Sequence, residues 1–230
     1  MGSPRLQLKH IVTALAGVYG EHEPQITDPF EMILLENAAY LAPDDRRLAT
    51  FKALRSKIGT SPEKILEHDG NAIADVITGG GMQPEMRAGK VLECARIARE
   101  IGLDILKNAI RSEPLKAKKL LRRFPGVGEP YADRILLFNG AAATLAPDSN
   151  ALRVLARLGF VAEEKNYSKM YKAAVNATKD EAADAGAARR AHLLLRRHGQ
   201  EVCKRADPMC DVCVIRADCA WYENRRRRAT

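Results

Sequence analysis

The chain has 230 residues, with 37 Lys and Arg against 29 Asp and Glu, which gives a formal net charge of +8 at pH 7. This length can hold one or two domains with a real core, and the basic balance favours a polyanionic partner, although a solvated basic surface gives the same composition. No run of apolar residues approaches the roughly 18 to 20 that a membrane span needs, so we expect a soluble protein with no membrane partner. Only 5% of the residues are aromatic, which excludes a broad stacking platform for nucleic-acid bases.

The pattern of apolar residues predicts an all-α fold. Apolar side chains recur at helical spacing from Leu8 to Leu15, and no stretch shows sustained two-residue alternation with β-branched enrichment. In chain order, after helices that include 8–15 and 33–35, the pattern predicts helices over about 44–57, 62–68, 71–78, 86–101, 103–111, 114–123, 130–138, 149–158, 167–178 and 181–198. Four consecutive arginines at 225–228 predict a disordered basic tail that serves either DNA contact or solubility.

Residues 120–132 predict a basic amphipathic helix, a tight turn and a second helix. The turn carries Gly126, Val127 and Gly128, and Pro130 falls in the first turn of the second helix, a place that suits proline. Glycines let a partner approach the backbone closely, and the N–H groups at the helix start form an anion site that fits a phosphate of nucleic acid. A purely structural turn is the alternative.

Four cysteines near the C-terminus are separated by gaps of six, two and five residues: Cys203, Cys210, Cys213 and Cys219. Four thiolates on one short stretch can converge on a metal without help from distant parts of the fold. The spacing therefore predicts a [4Fe-4S] cluster, with a structural zinc site and two disulfides as the alternatives. Disulfides are the weakest of these, because no secretory signal precedes them and the fifth cysteine, Cys94, is expected to be buried and inert.

Taken together, these motifs resemble the helix-hairpin-helix DNA glycosylases, in particular the iron–sulfur branch that contains endonuclease III and the adenine and thymine mismatch glycosylases. The resemblance runs from about Leu8 to Cys219. It rests on four segments, which are Asp-Pro-Phe-Glu at 28–31, Leu-Arg-Arg-Phe-Pro-Gly-Val-Gly at 121–128, Pro-Asp-Ser-Asn-Ala-Leu-Arg-Val at 147–154, and His198-Gly199 leading to Cys203.

The resemblance implies a protein of base excision repair. Its fold would be two helical lobes: a six-helix bundle with the hairpin over 24–142, and an iron–sulfur lobe made of 1–23 and 143–230. Double-stranded DNA with a damaged or mismatched base would bind in the cleft between the lobes. A monomer is expected, located in the cytoplasm and associated with the nucleoid, since there is no secretory signal and such a cluster is sensitive to oxidation.

The family places an aspartate about twenty residues past the hairpin, where it opens a helix with the pattern D-x-N-x-x-R-V. Asp148, Asn150, Arg153 and Val154 match this pattern. Cleavage of an N-glycosidic bond builds positive charge on the sugar, and an ionised carboxylate facing C1′ stabilises that charge or positions the attacking group. The resemblance thus gives a catalytic role to Asp148, with Asn150 beside it. Asp is also a preferred helix N-cap, so capping is the alternative, and one residue can do both.

Bifunctional members of the family place a lysine nucleophile just after the hairpin. The matching position here is Pro130, or Tyr131 with a shift of one residue, so the lysine is missing. Some mismatch-specific members have tyrosine at this place, which makes Tyr131 a candidate site residue. The chain thus resembles the monofunctional branch, in which water attacks the sugar. The alternatives are a lyase that uses another amine, such as Lys90 or Lys118, and a non-catalytic lesion-binding homologue.

Glu36 stands seven residues after Pro29, and a glutamate at this step is found in adenine and thymine mismatch glycosylases. There it can protonate the departing base or order the attacking water. A surface acid is the alternative. The residues that follow, 37–41, lack the glutamine-rich run of adenine-specific members, so specificity for adenine is not expected.

Relatives fill the gap left by an extruded base with side chains from two loops. Here Met82 or Gln83, after three glycines at 79–81, is the expected wedge, and Asn37 or Tyr40 is expected to complete the gap. A flexible glycine loop without DNA contact is the alternative.

The predicted cluster has four protein thiolates and therefore no open position for water. Its expected role is to hold the loop 204–209. Lys204 and Arg205 would then present their charges to the DNA backbone, which adds affinity without sequence information.

Overall fold

The structure is a computed structural model that describes residues 7–180 and 184–229, with side chains as far as 227. Within these residues the chain forms thirteen α-helices joined by short loops and 3₁₀ turns, and the only strand-like pairing there is a single β-bridge. The predicted all-α fold is confirmed. The helices are α1 (Leu8–Tyr19), α2 (Pro29–Ala38), α3 (Asp44–Lys57), α4 (Pro62–Leu66), α5 (Gly70–Ile77), α6 (Pro84–Ile101), α7 (Leu103–Ser112), α8 (Pro114–Leu121), α9 (Glu129–Phe138), α10 (Ser149–Leu158), α11 (Tyr167–Thr178), α12 (Ala185–Glu201) and α13 (Ala220–Ala229).

The predicted ranges 44–57, 149–158 and 167–178 agree with α3, α10 and α11, and the other predicted helices differ by a few residues at their ends. The first three residues of the helix predicted over 181–198 lie outside the described residues. In those 220 described positions, no helix is both long and apolar enough to cross a membrane.

The predicted disordered tail is wrong, because the arginine run belongs to α13. The Glu223 carboxylate accepts hydrogen bonds from Arg226 and Arg227, three and four residues further along the helix. The Arg225 guanidinium lies over the Trp221 ring, 5.4 Å from its centroid. Local ion pairs and one aromatic contact thus support a helix that a run of like charges alone would destabilise.

The chain divides into two compact units. One unit is Ile26–Ala141, which contains α2 to α9; the other joins Met1–Gln25 to Ala142–Thr230 and contains α1 and α10 to α13. In the second unit, α1, α10 and α12 pack around one core in which Leu15, Leu155 and Leu195 are fully buried, and half-buried cysteines of the C-terminal stretch pack against it.

The unit Ile26–Ala141 has its own core, with Ile33, Leu54 and Ile65 fully buried. Cys94 is also fully buried there, and burial raises the pKa of its thiol to about 12. The prediction of a buried, inert Cys94 is confirmed, since the thiolate is the reactive form.

Candidate catalytic and nucleic-acid site

Both carboxylate oxygens of Asp148 accept hydrogen bonds. It is the N-cap of α10, and its Oδ1 accepts hydrogen bonds from the N–H groups of Asn150 at 3.0 Å and Ala151 at 2.9 Å. Its Oδ2 accepts from Nε of Arg196 on α12 at 2.8 Å. The side chain keeps 17% of its surface exposed. The carboxylate is therefore an N-cap that is also fixed in place by a cation, and its outer edge stays open to solvent.

The rest of the D-x-N-x-x-R pattern connects α10 to the first cysteine. Nη2 of Arg153 donates to Oδ1 of Asn150 at 2.9 Å and to the Gly199 carbonyl at 2.6 Å, and its Nε donates to the Cys203 carbonyl at 2.8 Å. A Cβ on Gly199 would lie 2.7 Å from the Asn150 carbonyl oxygen, so only glycine allows this approach of α12 to α10. Asn150 and Arg153 thus support the position of Asp148.

His198, beside that glycine, is buried, and its ring nitrogens lie 3.0 Å from the Tyr19 hydroxyl and 3.5 Å from the Cys213 sulfur. His198 therefore contacts α1 and the cysteine stretch, and Gly199 lies directly against α10.

The four C-terminal cysteines line one solvent-open cavity. All cysteines of the described residues are free thiols, which is against the disulfide alternative. Burial raises the pKa of the Cys213 thiol to about 11. As they stand, no three His, Cys, Asp or Glu side chains among residues 7–180 and 184–229 form a group that could hold a metal ion. The donor set nevertheless suits iron or zinc, because four thiols from one short stretch face the same space.

Arg157 of α10 holds the loop after the first cysteine. Its Nη1 donates to the Lys204 carbonyl at 2.7 Å and lies 3.3 Å from the Cys203 sulfur, and its Nη2 donates to the Arg205 carbonyl at 3.1 Å. The same guanidinium lies over the ring of Trp221, which lines the cavity, 4.7 Å from the centroid. With their backbone fixed in this way, Lys204 and Arg205 are exposed to solvent.

The predicted hairpin consists of α8, a turn and α9. Gly126 has a φ of +74° in the turn, which favours glycine, whereas Gly128 has a φ of −78° and a Cβ there would meet only Cδ of Pro130 at 3.8 Å. A side chain at Gly128 would therefore not strain the turn. Val127 is buried and anchors the turn. Among the described residues, no side chain caps the N-terminus of α9.

Asn37 lies beneath this turn, 4% exposed, rather than on the surface. Its Nδ2 donates to the Pro125 carbonyl at 2.8 Å and to the Ile33 carbonyl at 3.0 Å. Asn37 thus links α2 to the hairpin, and in this position it supports the turn.

Glu36 and Tyr131 lie on either side of one arginine. The Arg134 guanidinium is 4.1 Å from the centroid of the Tyr131 ring and 3.4 Å from Oε2 of Glu36, which also pairs with Arg47 at 2.9 Å. The Tyr131 hydroxyl donates to the Met32 carbonyl at 2.5 Å, and burial raises the pKa of that hydroxyl. Tyr131 therefore fixes α9 against α2, and Glu36 is a half-buried acid between two cations.

Lys118, one of the candidate amines, is committed to ion pairs. Its Nζ lies 2.7 Å from Asp133 and 3.1 Å from Glu129. Burial alone lowers the pKa of this ammonium, but hydrogen bonds to the two carboxylates outweigh burial and the pKa lies above its usual value. Such an ammonium is a poor nucleophile.

Among the residues of the predicted gap loops, Met82 and Tyr40 are 60% and 50% exposed, and Gln83 adopts a left-handed φ of 57° at the start of α6.

Sequence reasoning missed the arginines that hold the site residues: Arg196 at Asp148, Arg157 at the cysteine loop, and Arg47 and Arg134 at Glu36. The sole signal for Arg196 is its place two residues before the His198-Gly199 pair.

α8, the turn and α9 form a helix-hairpin-helix motif, and Asp148 begins the next helix, α10. A comparison with models of protein families found no match. Endonuclease III of Sulfolobus acidocaldarius is 28% identical over 197 residues, which cover 84% of this chain and 82% of that protein.

Two solved structures have the same fold. A non-covalent endonuclease III–DNA complex matches with a TM-score of 0.74 and 18% identity, over 96% of this chain and 99% of the other. A thermostable thymine-DNA glycosylase matches with a TM-score of 0.71 and 19% identity, over 94% and 97% of the two chains. The chain is thus similar in sequence to endonuclease III and has the fold of these two structures.

Proposed function

We propose that this protein is a DNA glycosylase of base excision repair, which extrudes a damaged or mismatched base and hydrolyses its N-glycosidic bond. The observation that carries the proposal is the Asp148 carboxylate, fixed by the start of α10 on one oxygen and by Arg196 on the other. The similarity to endonuclease III and to a thymine-DNA glycosylase supports it. The test is base release from duplexes that each carry one lesion or mismatch.

An immobilised carboxylate suits this chemistry, because it needs no reorganisation when positive charge develops on the sugar. In the proposed reaction the bond between C1′ and the base breaks, and the base takes the electron pair and then a proton. The oxygen of water bonds to C1′, and the water loses one of its two protons. Asp148 stabilises the developing charge, with Asn150 supporting its position, and Glu36 is proposed to serve the departing base or the water.

The enzyme is proposed to be monofunctional. Pro130 cannot act as the nucleophile, and the Lys118 amine is held between two carboxylates. We therefore expect no trapped enzyme–DNA adduct when borohydride is added during turnover, since no Schiff base would be present to reduce. Gel analysis of the reaction checks this. A borohydride-dependent adduct would contradict it, and its loss in Lys118→Met or Lys90→Met would then identify the amine.

A [4Fe-4S] cluster is proposed for the cysteine cavity, with Cys203, Cys210, Cys213 and Cys219 as ligands. Bound there, it would supply structural cross-linking of the loop after Cys203 and no site for the attacking water. The chain's own residues, Arg157 above all, already orient that loop. Lys204 and Arg205 are proposed to contact phosphates of double-stranded DNA.

Trp221 gives a direct test of the metal, because it is the only tryptophan and it lines the cysteine cavity. An iron–sulfur cluster absorbs broadly in the near ultraviolet and visible, so we expect yellow-brown protein with quenched tryptophan emission. Emission should recover when the cluster is oxidised and its iron chelated. Stoichiometric zinc, with no iron and unquenched emission, would establish the zinc alternative instead.

The hairpin is proposed to bind a DNA phosphate at the start of α9. Since a Cβ at Gly128 meets only Cδ of Pro130, at an ordinary contact distance of 3.8 Å, Gly128→Val should fold normally and obstruct only the partner. We expect binding to weaken by about tenfold for every duplex alike, because phosphate contacts carry no base information. Fluorescence anisotropy with damaged and undamaged duplexes measures this.

The matched control is Gly17→Val, since a Cβ at Gly17 on α1 meets nothing within 4 Å. Unchanged affinity in Gly128→Val, or a loss confined to damaged duplexes, would remove the phosphate site from the hairpin.

A further inference from the structure

Three charged side chains from three helices meet in the unit Ile26–Ala141. Glu36 comes from α2, Arg47 from α3 and Arg134 from α9. Both guanidiniums donate to the same oxygen, Oε2 of Glu36, Arg47 at 2.9 Å and Arg134 at 3.4 Å. We call these three residues the Arg–Glu–Arg cluster. Its two guanidiniums and one carboxylate leave an excess of one positive charge.

A second contact fixes each arginine of the cluster. Nη1 of Arg47 donates to the Ala39 carbonyl at 3.2 Å, just past the end of α2. The Arg134 guanidinium lies against the ring of Tyr131, one turn earlier on α9, and the hydroxyl of that tyrosine donates to the Met32 carbonyl. The cluster is therefore arranged before any ligand arrives, unlike an ion pair between two flexible surface side chains.

A ligand can reach the cluster. The side chains of Glu36, Arg47 and Arg134 keep 30%, 20% and 18% of their surface exposed. Oε1 of Glu36 accepts no hydrogen bond from the described residues, and no buried side-chain oxygen or nitrogen among them lacks a partner, so Oε1 faces solvent. Each guanidinium has five N–H groups, more than one carboxylate oxygen can accept. The cluster thus offers donors from two helices and one acceptor oxygen.

The imide edge of a base complements this set of groups. Uracil and thymine present a carbonyl, an N–H and a second carbonyl in a row, which call for two donors and one acceptor. Adenine has no carbonyl oxygen. Purines alkylated on a ring nitrogen carry a positive charge, which the excess positive charge of the cluster repels. Both the hydrogen-bonding groups and the charge of the cluster therefore favour a base with an imide edge.

We propose that the Arg–Glu–Arg cluster reads the edge of the extruded base, and that Arg47 and Arg134 are specificity-determining residues that select an imide edge. The proposal rests on the proposed function, since an extruded base must be present to be read. The two arginines donate to the two carbonyl oxygens, and Oε1 of Glu36 accepts from the N–H between them. Glu36 then contacts the base as an acceptor and supplies no proton to it.

The test compares uracil with N3-methyluracil, in which a methyl group replaces the N–H of the edge. Both nucleotides carry a 2′-fluorine on the sugar, which withdraws electrons and prevents cleavage. Both are placed opposite an abasic analogue, so that neither base is paired and extrusion costs the same. With the full chain we expect the uracil duplex to bind at least about tenfold more tightly, as the loss of hydrogen bonds to charged groups implies.

Arg47→Met and Arg134→Met should each weaken binding of the uracil duplex about tenfold and leave the N3-methyluracil duplex within about twofold, since the contacts are already lost there. A side chain that only supports the fold would weaken both duplexes alike. If either variant melts at a much lower temperature, lysine replaces methionine, because it keeps the charge but lacks the planar set of donors.

Arg55→Met is the matched control. Arg55 is also an arginine of α3 that pairs with a glutamate of α2, Glu31, and its guanidinium lies 5.0 Å from the centroid of the Phe51 ring. This variant should bind both duplexes as the wild type does.

Equal binding of the two duplexes by the wild type, or equal losses on both duplexes in the two arginine variants, would overturn the proposal. Failure of the proposed function is distinguishable, because these binding measurements need no cleavage. A preference for uracil that depends on the two arginines, without base release from any cleavable duplex, refutes the glycosylase alone. Release of uracil from a cleavable duplex, with equal binding of the two fluorinated duplexes, refutes the reading of the edge alone.

Discussion

Asp148→Asn should reduce base excision by about 100-fold or more, equivalent to at least roughly 2.7 kcal/mol of lost transition-state stabilisation. Asn keeps the size of the side chain and is itself a good N-cap, so α10 should still begin at the same place. What disappears is the negative charge that Arg196 now holds at 2.8 Å. DNA binding should persist, because phosphate contacts provide most of the affinity.

The matched control is Asp69→Asn. Asp69 is the N-cap of α5 and accepts from the Ala72 N–H at 2.8 Å, so the same substitution tests capping alone. Single-turnover rates for both variants, with melting temperatures, separate charge from stability. Near-normal excision by Asp148→Asn would show that Asp148 serves only as the N-cap of α10.

Gly199→Ala is expected to have the largest effect on the unit that holds α10. The new Cβ would lie 2.7 Å from the carbonyl oxygen and 2.9 Å from the carbonyl carbon of Asn150, and backbone atoms cannot move aside as a flexible side chain can. α12 would have to move from α10, which disturbs the pair of Asp148 and Arg196. We expect a loss of about 1–3 kcal/mol in the free energy of unfolding, together with a marked loss of excision.

Denaturant unfolding of Gly199→Ala, followed by single-turnover assays at saturating enzyme, measures both effects. Gly17→Ala is the control, because that helical position has open space and Ala favours a helix. Wild-type stability in Gly199→Ala would show that the two helices can separate without cost, and would weaken the view that their contact sets the position of Asp148.

Local signals allowed much of the fold to be predicted. α10 agrees with its predicted range because Asp148 caps its start and Gly159, with a φ of +92°, ends it. α13 could not be predicted, because its support comes from Glu223 and from the stacking of Arg225 on Trp221, contacts that a count of like charges hides. Spacing also predicted that four cysteines hold one metal cluster; they line one cavity, but no three potential ligands in the described part of the chain form a metal-binding group, so the cluster stays a prediction.

The arginines of the site could not be predicted, and the reason is physical. Arg157 and Arg196 follow the same polar spacing as surface arginines on their helices. Only the fold brings two carbonyls to the first and a carboxylate to the second. Asn37 shows the opposite case, since a polar residue at a helix end suggests a surface contact, whereas the turn at Pro125 covers it.

The most direct measurement of the central claim is single-turnover base release from a panel of duplexes, each with one lesion or mismatch, read with and without alkali. The panel covers mismatched thymine and uracil, oxidised pyrimidines, alkylated purines and adenine opposite a damaged guanine. A monofunctional glycosylase predicts release from at least one duplex, strand breaks only after alkali, and release that Asp148→Asn slows by about 100-fold or more. Tight binding of damaged duplexes with no release from any of them would contradict the claim and leave a non-catalytic lesion-binding protein.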